Sequence, residues 1–107
     1  MYGNSQRRKA PDVQDLRRDG GRWLREQRER VGLSQRQLAE RVGAEYYTFI
    51  SQLETGRGRI PPDRYIDWAK ALDFPPQDFV REILRFYDPI THTILFSGSQ
   101  TGSGKGA

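Results

Sequence analysis

The chain has 107 residues and no cysteine. That is enough for one modest core, short for more than one domain, and without thiols for disulfides, cysteine nucleophiles or cysteine-based zinc sites. Its net charge of +4 is uneven: residues 1–20 carry +2, residues 21–60 carry +3, residues 61–90 carry −2 and the tail +1. A basic N-terminal half suits a polyanion such as DNA, no apolar run nears the roughly 18 residues of a membrane span, and the polar start is unlike an export signal, so a cytoplasmic, nucleoid-associated protein is expected.

Residues 1–19 read as a basic arm. Met1 to Lys9 lacks hydrophobic periodicity, Ala10-Pro11-Asp12 starts a short helix through Arg18, and Asp19-Gly20-Gly21 breaks it. A compact helical domain is expected over 20–88. Its first helix runs from Arg22 to Val31, with Trp23, Leu24, Gln27 and Val31 on one face and Gly32 as the stop. Ser34 caps the second helix, Gln37 stands three residues on as in a capping box, and Leu38, Ala39 and Val42 supply its apolar face before Gly43.

After the turn at Ala44-Glu45, a third helix begins near Tyr46. Tyr46, Phe49, Ile50 and Leu53 fall on one side, and it ends at Gly56. Arg57 to Pro62, entered from Gly56, contains Gly58 and two prolines and reads as a basic loop. The fourth helix starts near Pro62, with Tyr65, Ile66, Ala69 and Leu72 inward and Trp68 at the margin. The fifth spans about Pro76 to Phe86, with Phe79, Val80, Ile83, Leu84 and Tyr87 as its apolar set, and Asp88-Pro89 ends it. Residues 89–96 alternate loosely and predict a short strand over 90–96, which needs another copy of the chain or the helical core as partner. Residues 97–107 form a Gly/Ser-rich tail expected to be disordered.

Catalysis and metal binding have no support in the residues. His92 is the single histidine, the carboxylates are scattered over helix surfaces, and no serine-centred or glycine-loop motif occurs. No catalytic residue, metal or cofactor is therefore expected.

The informative stretch is Leu33-Ser34-Gln35-Arg36-Gln37-Leu38-Ala39-Glu40-Arg41-Val42-Gly43, followed by Phe49-Ile50-Ser51-Gln52-Leu53-Glu54-Thr55-Gly56. A small Ala39 lets the next helix cross closely, Gly43 permits the turn, and Ile50 with Leu53 anchors a helix that projects outward. This pattern, with Leu24-Arg25 and Arg28 before it and a basic, proline-containing loop after it, resembles the Cro/phage-repressor (XRE) family of helix-turn-helix regulators over about residues 21–73. The resemblance implies an all-α, five-helix bundle that reads duplex DNA, with the short C-terminal strand and disordered tail as additions. It departs in one respect. Ile50 lies seven residues beyond Gly43, where similar proteins place the anchor six residues on. Either the turn is one residue longer or Phe49 takes the anchor position. The first alignment preserves the Gln-Leu-Glu-x-Gly ending.

With Ile50, Leu53 and Tyr46 inward, helical geometry turns Tyr47, Thr48, Ser51, Gln52 and Thr55 toward the bases, Gln52 offering an amide suited to adenine. The resemblance implies a phosphate contact for Gln35. Arg57 and Arg59 in the loop are expected to add others, and Arg36 either joins them or is an ordinary exposed helix residue. It further implies a structural ion pair between Arg28 and Glu54. Two partners follow: double-stranded DNA bound by a homodimer, with repression as the default output, or, as the competing reading, a protein bound by an antitoxin or adaptor through the fifth helix and residues 90–96. Arg7-Arg8-Lys9 is either a further DNA contact or a solvated terminus.

Overall fold

The computed structural model describes residues 12–97, so the Arg7-Arg8-Lys9 cluster and all of the Gly/Ser tail beyond Ser97 lie outside it. The described residues form helices joined by turns and loops, with no strand among them. In order it forms α1 (Val13–Arg30), α2 (Gln35–Val42), α3 (Tyr47–Glu54), a 3₁₀ turn at Pro62–Arg64, α4 (Tyr65–Ala71), α5 (Pro76–Tyr87), α6 (Pro89–His92) and a π-turn at Thr93–Ser97.

The expected break at Asp19-Gly20-Gly21 is absent. Asp12 caps a single helix of 18 residues by accepting from the Gln14 N–H at 3.0 Å, and Gly20 and Gly21 sit buried in its middle. Each glycine costs about 1 kcal/mol of helix propensity. Packing explains their presence: a Cβ on Gly21 would lie 2.4 Å from the Glu54 carbonyl oxygen, and one on Gly20 would lie 2.8 Å from Phe86 Cβ. The glycines let α1 press against the end of α3 on one side and against α5 on the other.

α2 begins as the sequence predicts. Ser34 Oγ accepts from the Gln37 N–H and Gln37 Oε1 accepts from the Ser34 N–H, so the capping box is closed at both ends. Gly43 ends it in the left-handed region. The turn is the longer of the two alternatives. Tyr46 is the N-cap of α3 in extended conformation rather than its first helical residue, which leaves it 66% exposed and corrects the inward placement expected for it. Ile50 and Leu53 are fully buried anchors, whereas Phe49 packs at the edge of the core.

Two further expectations change. Trp68, not Ile66, faces the interior of α4, because Tyr65, Trp68, Ala69 and Leu72 form one continuous stripe and Ile66 lies about 100° away from Tyr65. The strand over 90–96 is replaced by helix. Asp88 accepts from the Thr91 N–H at 3.2 Å and Pro89 occupies the first turn, a helix start that outweighs the loose β-branched alternation; Ser97, assigned to the tail, closes the π-turn that follows.

The core joins all five longer helices through Leu24, Leu38, Ile50, Leu53, Trp68, Leu72, Phe79 and Ile83, with Ile60 carried in by the loop. Trp23 closes one end, its ring 5.7–6.2 Å from those of Phe74, Phe79 and Phe86. Among the described residues no helix is long and apolar enough to cross a membrane.

Candidate nucleic-acid interface

Buried Arg28 and Glu54 fix α3 against α1. Arg28 Nε donates to Glu54 Oε2 at 2.6 Å and Nη2 to Oε1 at 3.0 Å, a bidentate pair, while Nη1 donates to the Leu33 carbonyl at 2.9 Å. Hydrogen bonding to Glu54 raises the Arg28 pKa above its already high usual value, against the opposing effect of burial. Gln35 completes the cluster by donating its side-chain amide to Glu54 Oε1 at 3.0 Å. One carboxylate thus ties together α1, the α1–α2 turn, the first residue of α2 and the last of α3.

With that clamp set, α3 presents Tyr47, Thr48, Gln52 and Thr55 to solvent and leaves Ser51 half-buried. The side chains of Thr48 and Gln52 form no hydrogen bond within the described residues. Thr55 differs, because its hydroxyl donates back toward the Ser51 and Gln52 carbonyls, at 2.9 and 3.2 Å, and finishes the helix end. Tyr47 is held by stacking under Arg36, whose guanidinium carbon lies 4.7 Å from the ring centroid. Arg36 therefore belongs to the outward face through Tyr47.

The N-terminus of α2 lies beside this face. Its capping box uses the N–H groups of Ser34 and Gln37, leaving those of Gln35 and Arg36 without an acceptor among the described residues. Two free amides at a helix N-terminus suit a phosphate oxygen. The amide of the Gln35 side chain is occupied by Glu54, so the backbone, more than the side chain, is the group this position offers.

The basic loop is pinned by a residue that the sequence reading placed only in the apolar set of its helix. Tyr87 of α5 accepts the N–H of buried Ile60 at 3.2 Å, and the Arg59 guanidinium carbon lies 4.9 Å from its ring centroid. Burial pushes the Tyr87 hydroxyl up to about 12. Arg17, on α1, approaches the same ring at 5.6 Å. Arg57 is exposed and its side chain makes no ion pair or hydrogen bond within the described residues. Gly56, at φ +83°, turns the chain from α3 into this loop where a Cβ would meet the Arg18 backbone at 2.9 Å.

Three arginines of α1 were not among the expected contact residues, although Arg25 belongs to the family pattern. Arg18, Arg22 and Arg25 line, with Glu54 and Thr55, a surface cleft of about 280 Å³. Their spacing was a usable signal only for a helix that continues through Gly20-Gly21. His92 packs its ring 5.0 Å from that of Phe96.

A family model described as helix-turn-helix matches residues 24–79, just over half of the chain. No curated protein sequence matches it. Among solved structures, the restriction-modification controller protein C.AhdI from Aeromonas hydrophila aligns with a TM-score of 0.53 at 32% sequence identity, covering 61% of this chain and 96% of that one. The matched span contains the capped α2, the turn, the clamped α3 and the basic loop. The chain belongs to the XRE-type helix-turn-helix family and is a DNA-binding transcription regulator rather than an enzyme.

Proposed function

We propose that the protein binds an operator as a homodimer, inserts α3 of each copy into the major groove, and represses transcription by occupying DNA that RNA polymerase must reach. The observation that carries this reading is the Arg28–Glu54 clamp, which buries Ile50 and Leu53 and leaves Thr48 and Gln52 outward with no bond to give up before meeting a base. Gln52 reads adenine, Thr48 and Ser51 pair more broadly, Tyr47 and the Thr48 methyl meet thymine, and Thr55 borders the groove. Phosphates are held by the start of α2 at Gln35 and Arg36 and by Arg57 and Arg59. The controller-protein neighbour supports a regulator of this kind.

Dimerisation is supported by the C-terminal elements. Ile90, Ile94 and Leu95 are 73%, 68% and 52% exposed, and Pro89, Ile90, Thr93 and Ile94 line an apolar cleft between them. A second copy related by a two-fold axis covers this patch and places half-sites about one DNA turn, ~34 Å, apart.

The test is binding to the protein's own upstream DNA and to a random duplex across a salt series. Gln52→Ala is expected to erase the preference for upstream DNA, and Arg59→Ala to weaken both duplexes alike. A folded wild type that binds neither duplex refutes the operator reading and turns the search to a protein partner on α5 and residues 90–96.

A further inference from the structure

We propose that Arg18, Arg22 and Arg25 form a second phosphate-binding strip, which grips the DNA backbone beyond the segment read by α3. The inference rests on the operator reading above and extends its contact surface onto α1. The three arginines stand four and three residues apart on an uninterrupted helix, so they share one face. Their side chains are 53%, 65% and 63% exposed.

Position makes the strip part of the interface. The cleft they line is shared with Thr55, at the C-terminal edge of the outward face of α3, and Gly56 brings the start of the basic loop against the backbone of Arg18. Glu54 also borders the cleft, but its carboxylate is bound by Arg28 and Gln35. A phosphate there meets cations and a spent carboxylate.

Each arginine is parked on a carboxylate of its own helix: Arg18 on Asp15, Arg22 on Asp19 at 3.0 Å, and Arg25 on Glu29 at 3.1 Å. Exposed pairs of this type hold weakly and exchange readily for a better anion. A phosphodiester accepts a guanidinium in the same forked geometry as a carboxylate and adds the release of condensed counterions. The acidic partners keep the strip near neutral in the free protein, so it adds grip on DNA without adding charge to the unbound surface.

The experiment measures log K against log salt for the full chain on a 40-base-pair duplex centred on its upstream site and on a trimmed duplex ending at the α3-contacted bases. The triple variant Arg18→Gln/Arg22→Gln/Arg25→Gln is expected to flatten the slope by roughly 0.9 for each phosphate lost on the long duplex. On the trimmed duplex it should match the wild type, and the corresponding triple lysine variant should retain most of the slope. Asp15→Asn/Asp19→Asn, which frees two of the arginines, is expected to strengthen binding to the long duplex, and it decides the matter if the glutamine variant does not fold. Wild-type binding with slopes unchanged by the neutralised strip and affinity unchanged by the freed one overturns the strip alone. Absence of wild-type binding to every duplex overturns the operator reading beneath it.

Discussion

Gly21→Ala sets two physical effects against each other. In an exposed helix interior the change stabilises by about 1 kcal/mol, because alanine is the better helix former. Here the new methyl would lie 2.4 Å from the Glu54 oxygen and 2.6 Å from both the Glu54 carbon and the Leu53 oxygen, all backbone atoms that cannot rotate away. Relief requires α1 and α3 to separate by roughly 1 Å, given ordinary carbon–oxygen contacts above about 3.3 Å. The Arg28–Glu54 pair, 2.6 Å at its closest, resists that movement. Overpacking costs about 1–3 kcal/mol, and three backbone contacts put this site in the upper part of that range, so after the propensity gain a net loss of about 1–2 kcal/mol is expected. In a domain of this size that lowers Tm by roughly 5–15 °C. Circular dichroism melts of the wild type and Gly21→Ala provide the assay, with DNA binding measured well below both midpoints. Binding should fall even where the variant is fully folded, because α3 is what has been displaced. A melting temperature equal to or above that of the wild type would refute the close approach and restore the reading of Asp19-Gly20-Gly21 as a helix break.

Removing either side of the buried pair, by Arg28→Ala or Glu54→Ala, is expected to cost about 3–5 kcal/mol, and the double variant much less than the sum of the two; denaturant titration of all four proteins measures the coupling. Tyr87→Phe keeps the ring under Arg59 but leaves the buried Ile60 N–H without its acceptor, for an expected loss of about 1–3 kcal/mol in the same assay. Because the Tyr87 hydroxyl is raised to about 12, its contribution is present below about 10, the unfolded value, and disappears as pH climbs through about 12. Tyr87→Phe should show a smaller alkaline loss. Hydrogen bonds from Thr91 hold the Asp88 carboxyl below its usual range, so the cap on α6 is in place above the unfolded pKa and is lost as pH falls through the depressed one. The Thr91 amide resonance should follow that acid transition in the wild type and stay flat in Asp88→Asn.

Much of the helix-turn-helix was legible because its signals are local. Ser34 with Gln37, Gly43, and the Ile50–Leu53 pair each state their role within a turn of helix, and they stand where the sequence reading put them. The errors arose where distant residues decide. Gly20-Gly21 has the composition of a break, and only Glu54 and Phe86, far along the chain, turn it into a packing groove. Trp68 looked marginal until Tyr65 and Leu72 defined the stripe it belongs to. Residues 90–96 carried β-branched side chains, but the cap and proline at Asp88-Pro89 had already set the backbone winding. At the interface, helical phase exposed Thr48 and Gln52 on schedule, whereas the diversion of the Gln35 amide to Glu54 and the hold of Tyr87 on the loop come from pairings 19 and 27 residues apart.

The clamp and the outward face proposed to read DNA share one short helix yet use different side chains. Ile50, Leu53 and Glu54 secure α3, while Thr48 and Gln52 contribute no hydrogen bond to the fold. Substitutions at those two outward positions can therefore accumulate with little penalty in folding. On the operator reading proposed above, the preferred DNA sequence can then be rewritten at these positions on a scaffold that stays the same.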